Sequence, residues 1–129
     1  MSRSTQLVTD ISTTLQRYLH AWNATTPEAR ATALAQSLTP EVIYVDPHAG
    51  ELQGIDAVQS LIEQFHAKFN HPLEATGHLD VHHHLFRLPW RLGDRETGVL
   101  SHGMFVGEFN DAVQIVRLWT FLDGKQAGD

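Results

Sequence analysis

The carboxyl group of Asp46 is the side chain best placed to do chemistry, because it ends a short run of strand-forming residues, Val42 to Val45. Side chains alternate along a strand, so Asp46 shares one face with Tyr44 and Val42. If that face lines a cavity, a carboxylate in apolar surroundings becomes a usable base near neutral pH. Asp before Pro47 is also a common turn former, so a purely structural role is the alternative.

Tyr18 and Trp22 lie one turn apart on the apolar stripe of an amphipathic helix that begins near Leu7. The Tyr18 hydroxyl could donate a hydrogen bond to a substrate carbonyl or to Asp46, so Asp46 and Tyr18 are interpreted as the candidate catalytic pair. As a core residue whose hydroxyl is satisfied by backbone, Tyr18 would need no function. Trp22 is interpreted as core or as a wall of the pocket.

Three consecutive histidines, His82 to His84, fall in a segment that is predicted to be a strand. Alternation would put His82 and His84 on one face, where they could share a metal with His102 or Asp80. Two histidines without a fixed third ligand are weak evidence, so no metal site is predicted, and ordinary interface or solvent positions are the alternative. His84 or His102 could instead act as an acid or base in the pocket beside Asp46.

The composition excludes several classes of function. The formal charge of −6 opposes binding to nucleic acid or to an anionic membrane, and the absence of cysteine excludes disulfides, thiolate nucleophiles and cysteine-ligated metals. Gly50 and Gly54 only flank a turn and do not form a phosphate-binding loop. No cofactor is expected, because proton transfer at Asp46 would depend only on placement and electrostatics. No apolar run is long enough to cross a membrane, and we expect a cytoplasmic protein.

Apolar spacing predicts three helices and then a series of strands in one domain, 1–129, with its core over 5–122 and frayed tails at 1–4 and 124–129. The predicted class is α+β: three N-terminal helices packed on a strongly curved, mostly antiparallel sheet that forms a conical barrel with an internal pocket. The predicted helices cover 7–22, 26–38 and the segment between Gly54 and His71, and the predicted strands cover 42–45, 79–91, 99–109 and 113–122.

The internal pocket should be lined from the first helix, the first strand and the long strands. The residues predicted to line it, besides the catalytic pair, are Trp22, Tyr44, Phe65, His84, Trp90, His102 and Phe105.

Five short motifs in this order resemble the SnoaL-like branch of the nuclear-transport-factor-two-like superfamily, which also contains ketosteroid isomerase and has a cystatin-like fold. They are RYLHAWN at 17–23, VIYVDP at 42–47, Gly54 before a helix, RLPW at 87–90 and a final strand over 115–121. The resemblance implies that Asp46 matches the general base of ketosteroid isomerase and Tyr18 its oxyanion-binding tyrosine. The protonated acid that ketosteroid isomerase carries on a late strand is missing, because Phe105 or a neighbour stands at that position.

The resemblance favours a cofactor-independent isomerase, cyclase or dehydratase that removes a proton from an apolar, carbonyl-bearing small molecule. The alternative is a non-catalytic small-ligand-binding or interaction domain of the same fold. The resemblance also implies a homodimer that forms through the sheet.

Overall fold

The computed structural model describes residues 3–123, and they form three helices and seven strands. The predicted tail at 124–129 and the first two residues of the tail predicted at 1–4 lie outside this range. Arg3 and Ser4 belong to the first helix, so the prediction that they fray is wrong. The helices are α1 (Arg3–Asn23), α2 (Pro27–Ser37) and α3 (Ile55–His66), and the strands are β1 (Leu38–Asp46), β2 (Gly50–Gln53), β3 (Leu73–Ala75), β4 (Asp80–His82), β5 (Leu85–Asp94), β6 (Gly98–Phe109) and β7 (Ile115–Leu122).

The helices form where the apolar stripe and the capping residues predict them. Ile11, Leu15 and Tyr18 are buried along one face of α1. The Thr26 side chain accepts a hydrogen bond from the Ala29 N–H at the start of α2, where Pro27 occupies the first helical position. Of the three described helices, none combines the length and the hydropathy that a bilayer-crossing helix needs.

The strands form one seven-stranded sheet in the order β2-β1-β7-β6-β5-β3, with β4 also paired to β5. Every pair is antiparallel except β1 with β7, which run parallel. Together with the three helices, this confirms the predicted α+β class with a curved, mostly antiparallel sheet. The sheet stays open, with β2 and β3 at its edges, so the expected barrel does not close.

Two glycines of β6 allow the inner face of the sheet to hold large aromatic rings. A Cβ atom at Gly103 would lie 2.7 Å from the Trp90 ring and 1.8 Å from the Phe121 carbonyl oxygen, and one at Gly107 would lie 2.4 Å from the Phe86 ring. Gly103 is paired with Trp90 and Gly107 with Phe86 on the neighbouring strand. Each ring therefore occupies the volume that a side chain on β6 would need.

The predicted strand over 79–91 is wrong in its continuity, because a turn at His83 and His84 divides it into β4 and β5. His83 has a φ of 53°, in the left-handed region that histidine tolerates better than most side chains. The third helix ends at His66, before the predicted limit, and the short strands β2 and β3 were not predicted. Both are short enough to lack a clear alternating pattern.

Candidate functional site

A cavity of about 660 Å³ lies between the helices and the inner face of the sheet. This volume is within the range of small-molecule sites. The lining residues that are exposed to solvent mark its opening, and they are His48, Gln64, Lys68, Phe69 and Leu100. The remaining lining residues are Trp22, Tyr44, Asp46, Leu61, Phe65, Leu73, Trp90, Leu92, Ser101, Phe105, Thr120 and Leu122.

Asp46 lines this cavity and also starts the turn after β1, so the two roles considered for it coexist. The backbone N–H groups of His48 and Ala49 donate hydrogen bonds to Oδ1, at 2.8 and 2.5 Å. The Tyr44 hydroxyl donates to Oδ2 at 2.7 Å. Since a carboxylate oxygen can accept two hydrogen bonds, Oδ2 keeps one lone pair for another partner.

Tyr44 is a buried, neutral hydrogen-bond donor to Asp46. Burial raises the pKa of Tyr44 well above its usual value, and the nearby Tyr18 and the charge of Asp46 raise it further. The phenol therefore keeps its proton at every pH at which the protein is normally handled. Its bond fixes the side chain of Asp46 against the wall of the cavity.

Tyr18 does not occupy the position that the candidate catalytic pair requires. Its side chain is fully buried, it is not among the residues that line the cavity, and its oxygen accepts a 2.9 Å hydrogen bond from the Trp22 indole N–H. Burial raises the pKa of Tyr18, and the bond from Trp22 partly offsets this rise. Tyr44, not Tyr18, is the tyrosine that holds Asp46.

Comparison with known proteins agrees with this architecture. No family model and no curated protein matches the sequence. Among solved structures, an isomerase candidate of the SnoaL-like family from Agrobacterium tumefaciens is 30% identical, with a TM-score of 0.80 over 90% of this chain and 99% of its own. The chain belongs to the SnoaL-like family.

Two further structures resemble this SnoaL-like protein in fold. A candidate SnoaL-like polyketide cyclase from Jannaschia is 14% identical, with a TM-score of 0.72 over 89% of this chain and 86% of its own. A cystatin-like protein of unknown function from Methylobium petroleophilum is 13% identical, with a TM-score of 0.74 over 99% of this chain and 82% of its own. At these identities the likeness concerns the fold alone.

Two groups of aromatic rings form the apolar walls of the cavity. On the helix side, Phe65 contacts Trp22 edge to face at 5.7 Å and stacks on Phe69 at 5.2 Å between ring centres. On the sheet side, Trp90 stacks on Phe105 at 5.5 Å. Four of these five rings were predicted to line the pocket, and Phe69 was not.

Three side chains whose roles the sequence did not indicate, Asn23, Arg30 and His66, hold the end of α1, and with it Trp22, over the cavity. The Asn23 side chain makes two hydrogen bonds with the backbone of Leu73, at 2.9 and 2.8 Å. The buried Arg30 side chain donates to backbone oxygens of α1 and the residue that follows it, and His66 bonds the carbonyl of Trp22. A cation at the C-terminus of a helix is also favoured by the helix dipole.

The prediction that His84 and His102 line the pocket is wrong. His84 lies at the turn before β5 and contacts Asp111 at 2.9 Å, while His102 contacts Asp123 at 2.9 Å, and both imidazoles are more than half exposed. His102 and Phe105 are three residues apart on β6, so they must point to opposite faces. Alternation along one strand would have shown that the two cannot share the pocket.

The histidine cluster does not assemble a metal site. His82 and His83 approach each other at 3.1 Å between their Nδ1 atoms, but the turn directs His84 to Asp111. Over residues 3–123, no three side chains of His, Asp or Glu gather closely enough to hold a metal ion.

Two buried polar atoms of the lining have no hydrogen-bond partner among the described residues. They are the indole Nε1 of Trp90 and the hydroxyl Oγ1 of Thr120. Thr120 lies near the Tyr44 hydroxyl and slightly opposes the rise in the pKa of Tyr44, but it makes no bond of acceptable geometry with it. Nothing in the sequence pattern distinguishes these atoms from satisfied ones.

Proposed function

We propose that this SnoaL-like protein binds a small, apolar, carbonyl-bearing molecule in the cavity and moves a proton on it with Asp46. The observation that supports this most directly is the Asp46 carboxylate in the lining of a mainly apolar cavity, where Oδ2 accepts a single hydrogen bond. The resemblance to an isomerase candidate of the same family supports the same class of reaction.

The proposed step is a proton transfer within one substrate molecule. Asp46 Oδ2 takes a proton from a carbon next to the carbonyl group, so a C–H bond breaks, an O–H bond forms and the electron pair moves to the carbonyl oxygen. Return of the proton to another carbon gives an isomer and restores the carboxylate. The balance needs no oxidant or co-reactant, so this version of the reaction requires no cofactor.

The carboxylate is well positioned for this step because its neighbours fix it in place. Oδ1 is held by two backbone N–H groups and Oδ2 by Tyr44, which leaves little rotational freedom. A fixed base does not need to be ordered when the substrate binds, and this lowers the entropic cost of reaching the transition state.

One observation favours a second candidate, a ligand-binding domain without turnover. The hydrogen bonds that hold Asp46 are also those of a turn-forming aspartate, so the residue has a structural task that explains its presence. In this candidate the cavity binds the same class of molecule and Asp46 serves only the shape of its wall.

The substitution Asp46→Asn separates the two candidates, because the amide keeps an oxygen for the turn but cannot accept a proton. The probe is 1-tetralone in deuterium oxide, and the measurement is the rate at which NMR signals of its C2 protons disappear. We expect the wild-type protein to accelerate this exchange and Asp46→Asn to lower the acceleration by about 100-fold or more. The matched control is Asp111→Asn, which makes the same change at an exposed acid outside the cavity.

Each outcome decides between the candidates. Equal exchange rates with wild type and Asp46→Asn, at probe concentrations that saturate both proteins, would contradict proton transfer and leave the binding domain. Loss of exchange in Asp111→Asn as well would show that the effect of Asp46 is not local.

We also propose that two copies pair through the outer face of the sheet. Met104, Val106, Trp119 and Phe121 share this face, and Phe121 is 56% exposed. Sedimentation velocity should give twice the chain mass, and Phe121→Lys should return the mass of one chain. A cytoplasmic location stays a prediction from the sequence.

A further inference from the structure

The indole N–H of Trp90 is a strong donor in a place where donors are normally satisfied. The side chain is 4% exposed, it lines the cavity, and its Nε1 has no partner among residues 3–123. A buried donor without an acceptor is costly, and such groups are rare in native proteins. Trp22 on the opposite wall shows the normal condition, because its N–H donates to Tyr18.

The Thr120 hydroxyl is the second unpartnered group, and it lies between Trp90 and the Asp46 side of the cavity. Four neighbouring strands, β1, β7, β6 and β5, each contribute to the lining, with Asp46, Thr120, Phe105 and Trp90 in that order. Phe105 is paired with Thr120 across β6 and β7 and stacks on Trp90. The polar groups therefore lie along one wall, and an apolar ring separates the last two.

The length of this wall bounds the ligand. Strands are about 4.8 Å apart, so β1 and β5 are separated by three spacings, or about 14 Å along the sheet, and by less across its concave face. The carbonyl oxygen and the carbon next to the carbonyl group are only two bonds apart. The Asp46 carboxylate and the Trp90 N–H must therefore converge across the concave face, and the rest of the ligand extends along the wall. Stacking rings and mainly apolar lining favour a flat, apolar body.

We propose that the Trp90 indole N–H forms a subsite for the carbonyl oxygen of this ligand. The inference rests on the proposed function and assigns the oxygen-binding role to Trp90 and not to Tyr18. Tyr18 lies outside the lining, and Phe105 has no polar atom to offer. Because negative charge moves to the carbonyl oxygen when a neighbouring proton leaves, a donor at this point stabilises the transition state more than the bound ketone.

The experiment compares two probes of nearly equal shape, 2-acetylnaphthalene and 2-ethylnaphthalene, of which only the first has a carbonyl oxygen. The measurement is the dissociation constant of each probe by NMR titration. We expect wild type to prefer the ketone by about tenfold, the effect of one additional buried hydrogen bond. Trp90→Phe keeps an aromatic wall but removes the donor, so its preference should fall to within about twofold.

Two further variants test whether the loss of preference comes from the missing N–H donor or from a disturbed cavity wall. Thr120→Val keeps the shape of the side chain and removes the other unpartnered group of the wall, so the preference for the ketone should stay. Phe105→Leu disturbs the same wall without removing a polar atom, so both probes should weaken together while the preference stays.

A second measurement needs no variant of Trp90 to fold. The three tryptophans give three indole ¹⁵N–H signals, and the Trp90 signal is identified as the one that remains in Trp22→Phe and in Trp119→Phe. The ketone should move the Trp90 signal strongly and the hydrocarbon should not. The Trp22 signal is the internal control, since its N–H already has an acceptor.

The failures of this inference and of the proposed function are distinguishable. Equal binding of the two probes to wild type, a preference that survives in Trp90→Phe, or a Trp90 signal that responds equally to both probes would overturn the subsite while cavity binding stands. Failure of both probes to bind would overturn the proposed function and the subsite with it.

Discussion

Acidic side chains on the inner and outer faces of the sheet have different kinds of partner. On the outer face and at its margins, acids pair with cationic partners in water, as in the 2.7 Å contact between Arg87 and Asp80. On the inner face, Asp46 is the one acid among the described residues that line the cavity, and its partners are neutral N–H and O–H groups. Exposed pairs contribute little to stability, whereas buried polar groups must each find a partner.

The side chains that indicate function lie on the inner face of the sheet and not among the surface histidines. Eight of the nine histidines belong to no described part of the cavity lining, and the most conspicuous cluster makes ordinary surface contacts. The informative groups are few, neutral or singly charged, and buried. Unsatisfied atoms on the inner face therefore carry more weight than a cluster of histidines on the outer one.

The largest effect is expected from filling space on the inner face. Gly103→Ala would place a Cβ atom against the Phe121 carbonyl and the Trp90 ring, both of which are held by neighbouring strands. We expect the free energy of unfolding to fall by about 3 kcal/mol or more, measured by urea denaturation. Ser101→Ala on the same strand is the control and should change it by less than about 0.5 kcal/mol. Equal stability of the two variants would contradict the importance of the close approach of the Phe121 carbonyl and the Trp90 ring to Gly103.

An intermediate effect is expected from the two inner tyrosines at high pH. The pKa of Tyr18 and of Tyr44 is raised in the folded protein, so the folded state holds these protons more tightly than the unfolded state. This contribution to stability is complete below the ordinary tyrosine pKa of about 10 and is lost as the pH rises above it. Denaturation midpoints should therefore fall between pH 10 and 12.

Phenylalanine variants identify the source of this alkaline loss. Tyr18→Phe and Tyr44→Phe should each make the loss less steep, because one buried phenol no longer has to ionise. At pH 7 each should destabilise the protein, by about 1 to 3 kcal/mol for Tyr18, which leaves the Trp22 N–H without its acceptor. Unchanged alkaline curves in both variants would contradict the burial of these hydroxyls.

The smallest effect is expected on the outer face. Asp80→Asn removes the exposed pair with Arg87, so the free energy of unfolding should fall by less than about 1 kcal/mol. Repeating the denaturation in 1 M NaCl should abolish the difference between variant and wild type, because salt screens exposed charges. A loss of several kcal/mol would show that this exposed ion pair contributes strongly to stability. It would contradict the proposed difference between the inner and outer faces.

Much of the fold could be predicted from the sequence because it depends on local periodicity. The stripe of α1 and the Thr26-Pro27 cap determine where the first two helices lie, and the alternation of β5 places Trp90 correctly on the inner face. The break at His83 could not be predicted, because it depends on a backbone conformation that histidine tolerates but does not demand. The edge strands are set by pairing with longer neighbours, not by their own few residues.

The sequence predicts many of the residues that line the cavity, but not the hydrogen bonds that these residues make. Asp46, Tyr44, Trp90 and Phe105 lie where strand alternation puts them. Whether Tyr18 or Tyr44 bonds to Asp46 depends on the distance between α1 and the sheet. The sequence of neither element determines that distance. The missing partner of the Trp90 N–H is likewise a property of the assembled cavity.

The parallel pairing of β1 with β7 sets the order in which this molecule can be built. Its register joins Leu38 to Ile115 and Tyr44 to Leu118, so residues more than 70 positions apart in the sequence must meet. Such distant contacts form late because closing a long loop costs entropy before any contact repays it. During synthesis, the wall that carries Asp46 has no neighbour on its β7 side until residues 115–122 have left the ribosome. The cavity is thus completed by β7, the last of the described strands, and a chain cut short before Ile115 would have Asp46 but no cavity around it.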